Sequence, residues 1–257
     1  YGIEYMPGWL ERNTGWVNGQ MNQEMAPKYK LVALLPMKAN SERVKGKNFR
    51  EFAGKPLFRW ILDALLKVDE IDCIVINTDA RSILAEHGLV ESNRIMIRDR
   101  KADLCGDMVS MNKIIEDDID NVRAATYLMT HTTNPLISSS TIVNALNAYS
   151  DGLESDKDSL FTVNKFQTRF YRENGEPVNH DPDNLLRTQD LEPWYEENSN
   201  LYIFSKDSFE STTARIGKAP VLFETPTIES QDIDNKIDWK RAEIFALASM
   251  IAKSQKD

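Results

Sequence analysis

From Lys30 onward the chain alternates between short apolar runs and amphipathic stretches. LVALLP (31–36) is continuously apolar, the pattern of a strand covered on both faces. A polar loop runs to Asn48. PLFRWILDALLKV (56–68) then opens with proline, which suits a first helical turn, and sets Leu57, Ile61, Leu65 and Val68 on one stripe. IDCIVINT (71–78), RIMIR (94–98), AATYLMT (124–130) and LFTVNKF (160–166) predict four more strands. ARSILAEHG (80–88), stopped by its glycine, MVSMNKIIEDDI (108–119) and STIVNALNAYS (140–150), capped by Ser138 or Ser139, predict the helices between them. Strand and helix alternating in this way predict an α/β fold with a mostly parallel, twisted sheet and right-handed crossovers. Such sheets take ligands at the carboxyl ends of their strands, so the loops after Pro36, Thr78, Arg98 and Thr130 are the first places to look for a site.

The alternation stops between Gln167 and Ser199, a stretch rich in turn formers, charges and aromatics. An irregular segment of that length is expected to be a functional lid or an arm laid across another subunit. Phe166, Phe170, Tyr171, Trp194 and Tyr195 would supply its apolar anchors. NLYIFS (200–205) and VLFE (221–224) return to strand patterns, and KIDWKRAEIFALASMIAK (236–253) predicts a last helix with Ile237, Ile244, Ala248 and Ile251 toward the core. Residues 1–24 show no period and read as an extension or tag remnant before a start at Met25, leaving 25–257 as one domain.

Composition narrows the function. The net charge of -9 and pI of about 5.0 argue against a nucleic-acid partner, whose binders carry a basic footprint. No apolar run approaches the roughly 20 residues a membrane helix needs, and no secretory signal is visible, so no membrane partner and a cytoplasmic location are expected. Cys73 and Cys105 have neither metal-ligand spacing nor the density of a disulfide scaffold, which fits a reducing compartment. Against the acidic background one basic cluster stands out. Lys38, Arg43, Lys45, Lys47, Arg50 and Lys55 face only Glu42 and Glu51 in the segment from 38 to 55. A loop of cations at the carboxyl end of a strand can neutralise a polyphosphate, though a solvated charged loop would look the same.

The residues of LLPMKANSERVKGKNFREFAGKPL (34–57) carry a resemblance. Pro36, Lys38, Ser41, Arg43, Lys47, Asn48 and the Gly54-Lys55-Pro56-Leu57 run resemble the nucleotide-binding signature of the acylneuraminate and KDO cytidylyltransferases. The likeness continues in the same order through NTD (77–79), RKADLCGD (100–107), HTTNPL (131–136) and ESQDIDNKIDWKRAE (229–243), roughly residues 30–250. It implies a three-layer, Rossmann-like nucleotidyltransferase fold with a dimerisation or lid excursion at 167–199. It also implies transfer of CMP from CTP to the anomeric hydroxyl of an acidic 2-keto-3-deoxy sugar, of sialic, legionaminic, pseudaminic or KDO type, in a homodimer.

The same resemblance implies the roles of individual residues. Lys38, where relatives have arginine, Ser41, Arg43 and Lys47 would hold the triphosphate; Lys38, Arg43, Lys47 and Asp232 would carry the catalysis. Pro36, Asn48, Arg98, Leu104, Cys105 and Gly106 would line the nucleotide pocket, with Asp107 holding that loop. His131, in place of a glutamine, with Thr132, Thr133 and Asn134 would face the sugar. Asp232 and Asp234 would bind Mg2+. Independently of the family, residues i and i+2 of an extended segment face the same way, so these two carboxylates can meet one cation; alternatively Asp234 or Asn235 caps the last helix.

The sequence departs from the family where an arginine precedes an Asn-Gly strand and receives the sugar carboxylate. Here YEENSNLYIFS (195–205) sets Glu196 and Glu197 nearby, which would repel a carboxylate and favour an amine-bearing sugar. Two other functions are compatible with parts of the pattern. A metal-dependent glycosyltransferase would use Asp232-Ile233-Asp234 but leave the basic loop unexplained. A non-catalytic nucleotide-sugar-binding relative would bind CTP without releasing pyrophosphate.

Overall fold

The computed structural model describes residues 26–39, 44–106 and 108–254. The expected N-terminal extension and the residues Ser41, Arg43 and Asp107 lie outside the described residues. Strands β1 (Tyr29–Leu34), β4 (Cys73–Thr78), β5 (Ile95–Asp99), β6 (Ala124–Thr130), β7 (Ser159–Phe166), β8 (Trp194–Phe204) and β9 (Pro220–Glu224) form one seven-stranded sheet in the order β5-β4-β1-β6-β8-β7-β9. β1 pairs in parallel with β4 and β6, β4 with β5 and β7 with β9; β8 alone runs antiparallel, between β6 and β7.

The central strands read as unbroken apolar runs because both faces are covered. On one face Phe58, Ile61 and Leu65 of α1 (Leu57–Leu66), Leu84 of α2 (Arg81–Glu86) and Ile142 and Leu146 of α4 (Ser139–Leu153) pack against Leu31, Ile74, Ile76 and Leu128. On the other, Ile115 and Ile119 of α3 (Met111–Asn121) and Phe209 of α5 (Lys206–Thr212) pack against Val32, Leu34, Val75 and Tyr127. The result is the α/β fold expected from the alternation, in the three layers that the resemblance implies. Ser138 caps α4 by accepting from the Thr141 N–H, and Gly88 ends α2 with a φ of 70° that a side chain would resist.

Four features differ from the sequence expectations. A short hairpin, β2 (Glu51–Phe52) and β3 (Lys55–Pro56), turns through Ala53 and Gly54, both with positive φ, inside what reads as loop. Strand β8 begins at Trp194, so the excursion closes at 193; exposed charges at Glu196 and Glu197 conceal a strand whose outer half lies at the sheet edge. Helix α5 is too short for a clear period. Helix α6 (Lys236–Ser254) buries a different stripe from the one expected: Ile237, Ile244, Ala248 and Ile251 are exposed, while Trp239, Ala242 and Ala246 dock on Val44, Phe52, Leu57 and Ile233. Trp239 meets Phe52 edge-on at 5.3 Å, and the alanines on the following turns allow the close approach. Periodicity shows that a helix has an apolar stripe; only the partner surface decides which stripe is used. Among the described residues no helix is long and apolar enough to cross a membrane.

Candidate active site

The carboxyl ends of β1, β4 and β5 are fixed to one another before any ligand is involved. Met37 bridges in parallel to Thr78, extending the β1–β4 ladder past the buried Pro36. Arg100, the first residue of the RKADLCGD run, donates from Nε to Asn77 Oδ1 at 2.9 Å and from Nη2 to the Asn77 carbonyl at 2.8 Å. Asp79, the acid of the NTD run, accepts from the Ala39 N–H at 2.7 Å. The backbone that delivers Lys38 is therefore held from both sides.

The basic loop closes on itself through Gly46, whose φ of 62° lets its carbonyl accept from the N–H groups of Phe49 and Arg50 at 3.0 Å. Buried Val44 anchors the loop against α6. Asn48 is almost wholly buried. Its Nδ2 donates to the Lys38 carbonyl at 2.8 Å and its Oδ1 accepts from the Thr132 hydroxyl at 2.6 Å. Asn48 and Thr132 thus tie the β1 and β6 loops together rather than project into the cleft.

Lys47 reaches across 186 residues to donate from Nζ to the Ile233 carbonyl at 2.7 Å, and the Ile233 N–H donates to the Thr133 carbonyl at 2.9 Å. These bonds draw Asp232-Ile233-Asp234 to the cation loop. Ile233 is fully buried while Asp232 and Asp234 stay exposed, so the two carboxylates flank the same edge, as the i, i+2 spacing predicts. Asp232 is exposed yet closely flanked by protein. Desolvation, with the charge of Asp234, raises its pKa against the opposing pull of the Thr133 hydroxyl and Lys47. A carboxylate whose charge is only partly compensated by its own protein is a ready partner for a cation. The helix cap falls to Asn235, whose Oδ1 accepts from the N–H groups of Ile237 and Asp238 at 2.7 and 3.1 Å.

Arg98 behaves differently from its neighbours. Its guanidinium pairs with Asp117 at 3.0 Å and with Asp118, which also accepts from Asn77 Nδ2 at 2.8 Å. Burial pushes Asp118 up to about 6 despite these donors. Burial acts on Asp117 too, but Lys101 and Arg98 outweigh it and hold that carboxyl below its usual range. Arg98 is thus a brace between β5 and α3, not a free arm over the cleft. In the adjoining loop Leu104 turns inward, while Cys105 and Gly106, the latter at a φ of 115°, remain exposed.

On the other side of Thr130 the segment His131–Asn134 divides. Asn134 is fully buried with both amide atoms unpaired among the described residues, so it lies behind the cleft. His131 is half-buried, and burial with the charges of Arg215 and Lys47 pushes its pKa down to about 3. It is therefore a neutral donor and acceptor. Glu196 and Glu197, expected to form an unbalanced acidic patch, are both partnered. Glu196 accepts from Asn164 Nδ2 at 2.9 Å, and Glu197 lies 3.5 Å from Arg215 Nη2 and accepts from the Tyr202 hydroxyl. Arg215 comes from the loop after α5, where no motif draws attention to it.

The sheet edge thus combines a cation-bearing loop, a pair of carboxylates and a neutral polar patch. Comparisons with known proteins agree with that combination. The chain is 24% identical over 219 residues to the N-acylneuraminate cytidylyltransferase of Streptococcus agalactiae, covering 82% of this chain and 52% of that protein. It is 23% identical over 227 residues to the pseudaminic acid cytidylyltransferase of Campylobacter jejuni, covering 84% and 96%. The chain therefore spans about half the length of the Streptococcus relative and nearly all of the Campylobacter one. Among solved structures, a CMP:2-keto-3-deoxy-manno-octonic acid synthetase complexed with CTP superposes with a TM-score of 0.59 at 14% identity, covering 86% of this chain and 99% of that one. The family model described as cytidylyltransferase matches residues 32–248, from the first strand of the sheet through the aspartate pair and most of the helix behind it, and the chain belongs to the cytidylyltransferase family.

Proposed function

We propose that the chain transfers CMP from CTP to the anomeric hydroxyl of an acidic 2-keto-3-deoxy sugar. The hydroxyl oxygen bonds to the α-phosphorus and releases its proton to solvent, the bond from that phosphorus to the β-phosphate oxygen breaks, and pyrophosphate leaves. The observation that carries the reading is the Lys47–Ile233 bond, which holds a phosphate-binding cation beside Asp232 and Asp234. Cations alone would suit a free anion, and carboxylates alone a free cation. The two together suit a triphosphate that arrives as its metal complex.

Mg2+ fits this donor set, because it favours one or two carboxylates with phosphate oxygens and water rather than an all-protein cage. Asp232 and Asp234 would hold it, and it would supply neutralising charge at the phosphates. The protein's own groups do the remainder. Lys38 and Lys47, with Ser41 and Arg43, bind the phosphates, and the buried Asn48–Thr132 bridge keeps their loop from recoiling. Pro36 and the Leu104–Gly106 loop border the base. His131 and Thr133 meet the acceptor. Catalysis of this kind is positioning and charge stabilisation, with no covalent intermediate on the protein. The dependence on CTP suits a cytoplasmic reaction. The exposed Tyr171 and Trp194 at the excursion suit the contact of a homodimer.

The test is pyrophosphate release from CTP and Mg2+ across a panel of sugar acids, with Asp232→Ala beside the wild type. Release with at least one acid, reduced on the order of 1000-fold or more in the variant, is the expected outcome. A variant as active as the wild type would remove the metal assignment. A wild type that binds CTP but releases no pyrophosphate with any acid would leave a nucleotide-binding relative without the chemistry.

A further inference from the structure

The acidic run EDDID (116–120) of α3 keeps Glu116 and Asp120 in solvent but buries Asp117 and Asp118. Asp118 is 1% exposed, and its Oδ1 alone is engaged, by Arg98 and by Asn77 Nδ2. Oδ2 has no hydrogen-bond partner among the described residues. Burying a carboxylate with one oxygen idle is costly, so a bare brace between β5 and α3 would be better made without it. Arg98 does not require it either. Asp117 already lies 3.0 Å from the same guanidinium, and it pairs with Lys101 as well. The contact that Asp117 does not duplicate is the one to Asn77.

Asn77 is fully buried near the carboxyl end of β4. Its amide stands between two groups of fixed polarity, a carboxylate that accepts and a guanidinium that donates. One orientation satisfies both, with Nδ2 toward Asp118 at 2.8 Å and Oδ1 toward Arg100 Nε at 2.9 Å. Without an acceptor at 118 nothing opposes the turned-over amide, which would aim a donor at Arg100. The Asn77 carbonyl accepts from Arg100 Nη2 at 2.8 Å and from the Met37 N–H at 3.0 Å. Arg100 Nη2 also lies 3.4 Å from the Met37 carbonyl, so both polar groups of the Met37 backbone end on the Asn77–Arg100 pair. Met37 precedes Lys38, and Arg100 leads into the Leu104–Gly106 loop. The path that starts on α3 thus ends at two segments to which the proposed reaction assigns CTP.

We propose that Asp118 is a positioning residue for the nucleotide, acting through Asn77 to orient Arg100 and the backbone that presents Lys38. The assignment rests on the cytidylyl-transfer reading above and deepens it. Asp118 touches no substrate; it decides which way the Asn77 amide faces. The buried charge is retained because a group that only accepts is what fixes that amide.

The experiment measures CTP affinity in the presence of Mg2+ by titration calorimetry, with denaturant unfolding beside it to show that each protein is folded. Asp118→Leu removes the acceptor, and Asp118→Asn keeps a carbonyl oxygen in its place. Asn77→Ser breaks the path at its middle and leaves both ion pairs of Arg98. Asp118→Leu and Asn77→Ser are each expected to weaken CTP binding on the order of 10-fold, as for loss of a charge-assisted hydrogen bond. Asp118→Asn should stay within about threefold of wild type. The double variant Asp118→Leu/Asn77→Ser should bind no more weakly than the weaker single one, because two links of one path fail together. Losses that add in the double variant overturn the assignment, as does a loss in Asp118→Asn equal to that in Asp118→Leu. A folded Asp118→Leu that binds CTP like wild type overturns it too. Should Asp118→Leu fail to fold, Asn77→Ser decides, and wild-type affinity there overturns the path. A wild type that binds no CTP overturns the reading on which the assignment rests.

Discussion

The two sides of the sheet edge are made in different ways. On the β1–β4–β5 side the loops are locked by backbone-directed hydrogen bonds: Asp79 to the Ala39 N–H, Asn48 to the Lys38 carbonyl, Lys47 to the Ile233 carbonyl. On the β8 side the Arg215, Glu197, Tyr202 and Ser199 cluster is joined through side chains, with Tyr202 Oη 3.0 Å from Ser199 Oγ. Ser199 itself has a φ of 57° beside a bulge in the β7–β8 pairing, a conformation that carries strain for a residue with a Cβ. Backbone locks tolerate little variation and leave a motif. A side-chain cluster can be rebuilt from other residues, so it leaves none. In the proposed reaction the first side takes the triphosphate and the second the acceptor.

The largest effect that would sharpen this contrast is expected at Lys47. Lys47→Ala removes both the proposed phosphate cation and the tether to Ile233, and kcat/KM for CTP should fall about 100-fold or more. The KM for the acceptor should stay within about threefold. Steady-state kinetics varying each substrate in turn would show it; an acceptor KM that rises as steeply as that of CTP would mean the two sides are one unit.

Acid titration separates the sides by sign. Asp118, beneath the nucleotide side, has a folded pKa of about 6 against an ordinary 3.8. Its ionisation therefore opposes folding above about pH 6, and that opposition fades as pH falls toward 3.8. Wild type should gain roughly 2 kcal/mol on Asp118→Asn between pH 7.5 and pH 4.5, read by denaturant unfolding. Parallel pH profiles for the two proteins would show that Asp118 is already fully ionised through its pairing with Arg98.

His131, on the acceptor side, runs the other way. With a folded pKa of about 3 against 6.5, the stability it contributes is complete above pH 6.5 and is lost as pH falls from there toward 3. His131→Gln should remove roughly 1 kcal/mol of acid sensitivity at pH 5.5. Because the imidazole is neutral at working pH, the same variant should change turnover by less than about fivefold, the smallest effect of the three. A loss beyond about 100-fold at pH 7.5 would instead make the imidazole a proton carrier.

Much of this protein was determined by its sequence. The alternation of apolar runs and amphipathic stretches determined the layered α/β fold, because a strand covered on both faces has no other pattern. Pro36 to Leu57 and Asp232 to Asp234 marked the proposed nucleotide side, because phosphate and metal chemistry would need particular residue types on short loops. Three matters were decided only by the tertiary structure. The face that α6 buries depended on Phe52, distant in sequence, offering an edge to Trp239. Arg98 became a brace because Asp117 and Asp118, on a helix nearly twenty residues away, compete for its charge. Arg215 met Glu197 and Tyr202 because an antiparallel strand, inserted between β6 and β7, carries both of them, which no local pattern encodes. Local preferences act over a few residues, whereas a charge or a ring chooses its partner from whatever the whole chain brings within reach.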